Sequence, residues 1–222
     1  MSGQTYTGDV QVGGPADVRE LPGLTIRKLA VSEMANNAYL LTATATGEAL
    51  LIDAAAEPEA LLAFIDGADV RTVVTTHGHW DHHRALPQVV EATGAGTVAH
   101  PADAADLPVP VTRRVDHGDT VPVGDQLLEV VHLRGHTPGS IALVWRGPAG
   151  AGTHVFTGDS LFPGGVGNTQ SDAARFASLL DDVEARLFGE LPDDTWVYPG
   201  HGKDTTIGTE RPHLAEWRER GW

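Results

Sequence analysis

A chain of alternating strands and helices, stacked as a four-layer sandwich with two sheets face to face and helices outside, is the fold this sequence predicts. Three observations lead there. Strand-like segments cluster and are then followed by helical segments, and this happens twice along the chain. Gly- and Asp-containing turns separate most of these segments. Apolar residues make up 41% of the 222 residues, enough for a real core, and no linker divides the chain into separately folding units. The pattern by itself fits either an α/β or an α+β class.

The elements follow in order. Residues 1–20, rich in Gly, Thr and Asp, read as a loose arm. Strands are expected at 24–29, 38–44 and 50–53, the last two split by Thr46-Gly47. Leu61, Leu62 and Ile65 give 57–66 a helical spacing. The β-branched run 70–75 is a buried strand by composition, so 77–83 must be the loop after it. A helix at 84–93 ends at Gly94, and a short strand follows at 97–100. The Pro- and Asp-rich stretch 101–119 reads as irregular. Strands at 120–123 and 126–133 flank Gly124-Asp125, a hairpin signal. Strands at 141–146 and 154–157 precede a Gly-rich loop at 158–169. The clearest helix is 172–187, with Asp172 as N-cap and Phe176, Leu179, Leu180, Val183 and Leu187 on one face. A strand at 195–198 and a closing helix at 209–220 complete the chain.

Charge and composition narrow the function. With 15 basic and 30 acidic residues the net charge is −15, which disfavours an electrostatic grip on nucleic acid. No stretch approaches the roughly 20 apolar residues that span a bilayer, so no membrane partner is expected. The N-terminus lacks a basic start followed by an apolar run, which points away from secretion. The chain has no cysteine, which rules out disulfides, thiolate ligands and cysteine nucleophiles. A cytoplasmic location and a small-molecule substrate are the expectation; oligomeric state leaves no mark in the sequence.

The 11 histidines form no long run, and several sit beside Asp and Gly. The segment Thr76-His77-Gly78-His79-Trp80-Asp81-His82-His83 places four candidate ligands, His77, His79, Asp81 and His82, directly after a buried strand. Imidazole and carboxylate suit zinc, iron or manganese. Three further candidates, His136 in Gly135–Ser140, Asp159 in Thr157-Gly158-Asp159-Ser160 and His201 in Pro199-Gly200-His201-Gly202, also lie just past strands in Gly-containing turns. Side chains leaving neighbouring strand ends converge in space. Ser140 and Ser160 lie close to ligands and read as braces for the turns.

This His-x-His-x-Asp-His pattern, with His, Asp and His downstream, resembles the metallo-β-lactamase superfamily, with motifs running from Asp53 to His201. Glyoxalase II and similar small thioesterases look closest, through residues 76–82, 135–140, 157–162 and 199–202. The resemblance implies an α+β, four-layer αββα fold over residues 1–222, with the site at the seam between two similar halves. It implies two divalent metal ions, zinc first among them. His77, His79 and His136 would hold one, Asp81, His82 and His201 the other, and Asp159 would bridge both. Asp53 would orient the ligand loops from behind. A hydroxide shared by the metals would attack a thioester, ester or lactone carbonyl, with Asp81 and Asp159 as the catalytic carboxylates and Asp81 managing the proton.

The departures also inform. Antibiotic-hydrolysing members mostly lack an Asp at the position of Asp159. Oxygen-reducing flavoprotein partners tend to carry Glu where this chain has His79. The Gly-rich stretch 162–169 has Val166 and Asn168 where glyoxalase II often has a Cys and a basic residue, which puts glutathione specificity in doubt. Lys203 reads as a surface residue more readily than as a partner for a substrate carboxylate. Two alternatives from other classes remain: a dioxygenase acting on persulfides with one iron on His77, His136 and Asp159, and a non-catalytic metal-binding protein. Pocket-lining residues are expected in loops at 32–37, 101–118 and 161–170. Trp217 and Trp222 read equally as core, interface or loose end.

Overall fold

The computed structural model describes residues 6–221. Its first sheet runs in chain order: β1 (Asp17–Leu21), β2 (Leu24–Val31), β3 (Asn36–Ala43), β4 (Glu48–Ile52), β5 (Asp69–Val74), β6 (Gly96–Ala99) and β7 (Arg113–Arg114). Strands β1 to β4 pair antiparallel, and β4 to β7 pair parallel. The second sheet is built from β8 (Thr120–Val123), β9 (Gln126–His132), β10 (Ile141–Arg146), β11 (Thr153–Gly158), β14 (Trp196–Pro199) and β15 (Thr205–Thr206). Its spatial order is β15-β14-β11-β10-β9-β8, and β11 and β14 are parallel. Between them in sequence, β12 (Leu161–Phe162) and β13 (Gly165–Val166) form a small separate hairpin.

Alternation along the strands makes the layers. In β2, Leu24 and Ile26 join the cluster between the sheets, while Val31 joins the outer one. In β10, Ile141, Leu143 and Trp145 face inward, and Ala142 and Val144 face outward. Such period-2 sorting is what a strand buried on both faces requires. The outer face of the first sheet is covered by α1 (Pro58–Phe64) and α2 (Leu86–Thr93). The outer face of the second is covered by α3 (Ala173–Val183), through Phe176, Leu179, Leu180 and Val183. The result is the αββα sandwich that the sequence led us to expect.

Some boundaries differ. Residues 17–21, within the stretch read as a loose arm, form edge strand β1, because Asp17–Leu21 registers against Leu24–Lys28 through a tight turn. Nearby, Tyr6 donates its hydroxyl to Asp204 at 2.7 Å, and the Gly8 carbonyl accepts from the buried Lys28 ammonium at 2.7 Å. The stretch 101–119 carries the two-residue β7, and the loop 158–169 carries the β12–β13 hairpin. Beyond Val183 the long helix widens into a π-turn at Glu184–Phe188.

The closing helix is interrupted. It comprises α4 (Ile207–Glu210), a 3-10 turn at Arg211–His213 and α5 (Leu214–Arg220). Pro212 has no amide hydrogen to donate, and its ring crowds the preceding turn. Trp217 is buried in the outer core of the second sheet, against Phe188. Trp222, by contrast, lies outside the described residues. No helix among the described residues is long and apolar enough to cross a membrane.

The sheets position the candidate site. Because β4, β5 and β6 are parallel, their C-terminal ends share one edge of the first sheet. In the second sheet β9 and β11 both pair antiparallel with β10, so β9, β11 and β14 also point the same way. The two edges are tied together by Ile141 N donating to Thr76 O (2.9 Å) and Asn37 N donating to Gly200 O (2.7 Å).

Candidate metal centre

Each predicted ligand leaves one of these strand ends. After β5, Thr76 leads into the His77–His82 loop, which closes with a 3-10 turn at Trp80–His82. That turn buries Asp81 and His82 and leaves Trp80 54% exposed, with the Arg84 guanidinium over its ring at 4.0 Å. His136 follows β9, Asp159 follows β11 and His201 follows β14. At the end of β4, Asp53 takes a left-handed backbone (φ 57°), which Asp tolerates better than bulkier residues.

The side chains converge. His77, His79 and His136 form one group of possible metal donors whose ligand atoms lie within 4.8 Å of one another. Asp81, His82 and His201 form a second, and Asp159 joins His77 and His82 in a third group that overlaps both. The Asp159 carboxylate lies 3.4 Å from His82 Nε2 and from His201 Nε2, and 3.6 Å from His136 Nε2. Asp81 Oδ2 is 3.4 Å from His201 Nε2.

Hydrogen bonds behind the rings set which nitrogen faces the centre. His82 Nδ1 is 2.8 Å from Asp53 Oδ2, His136 Nδ1 is 2.8 Å from Asn168 O, and His201 Nδ1 is 2.9 Å from Met34 O. Each acceptor engages Nδ1, so Nε2 is the nitrogen turned toward the centre. His77 Nδ1 meets Thr76 Oγ1 at 3.1 Å, and that hydroxyl donates a hydrogen bond to Asp53 Oδ2 at 2.8 Å. The Nε2 nitrogens then face one another across short gaps: His77 to His136 at 3.3 Å, His82 to His201 at 3.2 Å. Facing lone pairs repel unless a cation or proton lies between them. Among the described residues, none donates a hydrogen bond to the buried Asp159 Oδ1. This donor set fits divalent metal ions.

The electrostatics divide the cluster. Burial drives His77 well below the ordinary imidazole range, lowers His79, and takes His136 to about 4. At His82 burial also opposes charge, but the Asp159 and Asp53 carboxylates outweigh it and raise the ring to about 10. His201 goes the same way, to about 9, as bonds to Asp159 and Asp81 overcome its burial. Burial acts to raise Asp159, yet the charge of His82 and the close approach of His201 hold it well below the carboxylate range. The Asp53 and Asp81 carboxylates lie against His82 and His201, on one side of the cluster.

Two residues near the centre lie outside the ligand motifs, in stretches expected only to line a pocket. Asn36, fully buried, donates Nδ2–H to Asp81 Oδ2 at 2.9 Å and sits opposite His201 in an isolated β-bridge. Asp103, in the turn after β6, accepts the Gly78 amide at 2.8 Å. Other candidates resolve simply. Lys203 pairs with Asp9 at 2.8 Å, and its side chain is 70% exposed. Ser140 braces its turn, accepting from Thr137 N at 3.1 Å, while the Ser160 hydroxyl is buried with no partner among the described residues.

A fourth donor group among the described residues, His100, Asp116 and His132, lies apart from the motifs. His100 Nδ1 accepts the Ala102 amide at 3.1 Å, so its proton sits on Nε2, 3.4 Å from Asp116 Oδ1. That protonated nitrogen offers a metal no lone pair.

Comparison with known proteins agrees with this geometry. An uncharacterized protein of Aquifex aeolicus is 31% identical over 205 residues, covering 85% of this chain and 94% of its own. A hydroxyacylglutathione hydrolase of Polaromonas sp. is 36% identical over 165 residues, covering 73% of this chain and 60% of its own. The chain thus spans about three-fifths of that hydrolase's length. Among solved structures, ETHE1 from Myxococcus xanthus superimposes with TM-score 0.71 at 33% identity, covering 87% of this chain and 84% of that one. TTHA1623, solved in a di-iron-bound form, gives TM-score 0.66 at 34% identity, covering 83% and 96%. The model of the metallo-beta-lactamase superfamily matches residues 31–201, a span that takes in every candidate ligand from His77 to His201. With this match, the αββα layering and the converging His and Asp side chains, the chain belongs to the metallo-β-lactamase superfamily, whose members are mostly metal-dependent hydrolases.

Proposed function

We propose that the protein is a binuclear metallo-hydrolase that cleaves a thioester, ester or lactone of a small molecule. The observation that carries this reading is the pair of three-donor groups sharing Asp159, with four of the five imidazoles held from behind at Nδ1. His77, His79 and His136 would hold one cation, Asp81, His82 and His201 the other, and Asp159 both. When bound, such a pair supplies Lewis acidity and lowers the pKa of a coordinated water toward about 7.

The chain's own residues supply the order. Asn36 fixes Asp81 through Oδ2, which holds that carboxylate against His201 as a donor for the second cation. Asp53 holds His82 and Thr76 in one arrangement, so the donors need not reorganise during the reaction. Phe162, whose ring centroid is 6.4 Å from that of His201, offers an apolar wall on one side of the site. The similarity to a hydroxyacylglutathione hydrolase supports a thioester first among the substrate classes.

The test is elemental analysis of purified protein joined to an anaerobic hydrolysis screen over thioesters, esters and lactones. The expected outcome is two metal ions per chain and turnover that a chelator removes and added metal restores. Iron must be assayed beside zinc and manganese, since a relative of 34% identity is known in a di-iron-bound form. One iron per chain with oxygen consumption would replace this reading by a dioxygenase centred on His77, His136 and Asp159. Metal-loaded protein without turnover on the whole panel would leave a metal-binding protein without catalysis.

A further inference from the structure

One buried carboxylate outside the ligand motifs joins the two loops that carry the first donor group. Asp103 is 1% exposed. Its Oδ2 accepts the Gly78 amide at 2.8 Å and the Thr137 hydroxyl at 2.5 Å, and its Oδ1 accepts the Gly139 amide at 2.7 Å. Gly78 lies between His77 and His79, and Thr137 follows His136. The three imidazoles of one donor group are therefore referred to a single side chain on a third loop.

The arrangement is tight and directional. The Thr137 hydroxyl gives its proton to Asp103 and so accepts from Ser140 Oγ at 2.7 Å, extending the tie to the base of β10. A Cβ on Gly139 would stand 2.7 Å from Asp103 Cγ, so that backbone approaches as closely as it can. The Asp103 turn is held in turn by its own amide bonding His100 O at 3.2 Å and by the Asp106 amide bonding Asp103 O at 3.0 Å. The second donor group takes its anchors elsewhere: His82 from Asp53, Asp81 from Asn36, and His201 from Met34 O.

We propose that Asp103 is a positioning residue that sets the metal affinity of the His77, His79 and His136 group, separately from that of the Asp81, His82 and His201 group. The inference rests on the binuclear reading above. A carboxylate accepts from all three donors at once. The isosteric amide of Asn has a single oxygen and would turn an N–H toward one of them, which loosens the pair of loops without emptying the space. Groups that orient ligands from behind typically change metal affinity by roughly 10–100-fold when removed.

The experiment titrates metal-free wild type, Asp103→Asn, Asp103→Ala and Thr137→Val with zinc and with cobalt, following stoichiometry, affinity and the cobalt absorption bands. Folding of each is checked by circular dichroism and melting. The expected result is one metal bound as in wild type and one weakened by roughly 10–100-fold in the Asp103 variants. Thr137→Val, which removes one of the three bonds, should weaken the same metal less, and it serves if the Asp103 variants fail to fold. Folded variants that hold both metals as tightly as wild type, or lose both equally, would overturn the proposal. Wild type that binds fewer than two metals would overturn the binuclear reading itself, before any variant is considered.

Discussion

Asp53 Oδ2 lies 2.8 Å from His82 Nδ1, and the same carboxylate accepts the amide and the hydroxyl of Thr76, each at 2.8 Å. One side chain thereby fixes the tautomer of His82 and the entry of the whole His77–His82 loop. It does so from a left-handed backbone at the end of β4, where the chain has just left the sheet. The effect is to aim His82 Nε2 at Asp159 and His201.

Asp53→Ala should therefore weaken metal binding by roughly 10–100-fold and lower kcat with it. Its effect should reach both metals, because Asp53 meets His82 directly and His77 through Thr76, unlike that of Asp103. Competition titration against a chromophoric chelator measures this; unchanged affinity in a folded variant would remove Asp53 from the site.

Gly200 should tolerate no side chain. A Cβ there would collide with Asp159 Oδ1 and stand 2.8 Å from His82 Cε1. Gly200→Ala is expected to push Asp159 off the position from which it reaches both donor groups. Metal content per chain and hydrolysis should fall together, while far-UV circular dichroism stays as in wild type.

Asp182 couples α3 to the loop that carries His136. Its carboxylate accepts Arg134 N at 2.9 Å, Nε at 2.8 Å and Nη2 at 2.7 Å. Burial acts to raise its pKa, but these bonds and the charge of Arg186 outweigh it and hold the group below its ordinary value. Asp182→Ala should cost about 1–3 kcal/mol in urea unfolding, because Arg134 keeps access to water while the buried bonds are lost. The same depressed pKa means the contribution is present above about pH 4 and fades as the pH falls through the folded value.

His154 supplies a second pH window. It is buried, with Nε2 bonded to Ala151 O at 2.9 Å and Nδ1 to Tyr198 Oη at 3.0 Å. Burial lowers its pKa to about 4, and the charge of Arg19 acts in the same direction against the Ala151 bond. Between the ordinary value of 6.5 and about 4, the unfolded chain binds the proton more readily, so this group's contribution is full above that window and lost as pH falls through it. The Tm gap between wild type and His154→Gln should narrow on going from about pH 7 to about pH 4. A gap that stays constant would show that His154 does not titrate in this way.

Much of the fold was legible because its signals are local. The alternation in 24–29 and 141–146, the turn at Gly124-Asp125 and the cap at Asp172 each need only a few neighbouring residues to be recognised. Asp172 indeed accepts from Ala174 N and Arg175 N. Two elements depart from those local signals: Pro212 interrupts the closing helix, and β1 lies in a Gly-rich stretch whose pairing depends on the neighbouring strand β2.

The sequence by itself determined which residue types stand at the strand ends, and so the chemistry available there. Tertiary structure alone decided how those ends meet: which imidazole nitrogens face one another, that Asn36 holds Asp81 across 45 residues, and that Asp103 reaches Thr137 across 34. The physical reason is range. A strand or a turn is specified by steric and hydrogen-bonding choices within a few residues, whereas a bond between distant loops exists only once parallel strands bring their C-terminal ends to a common edge.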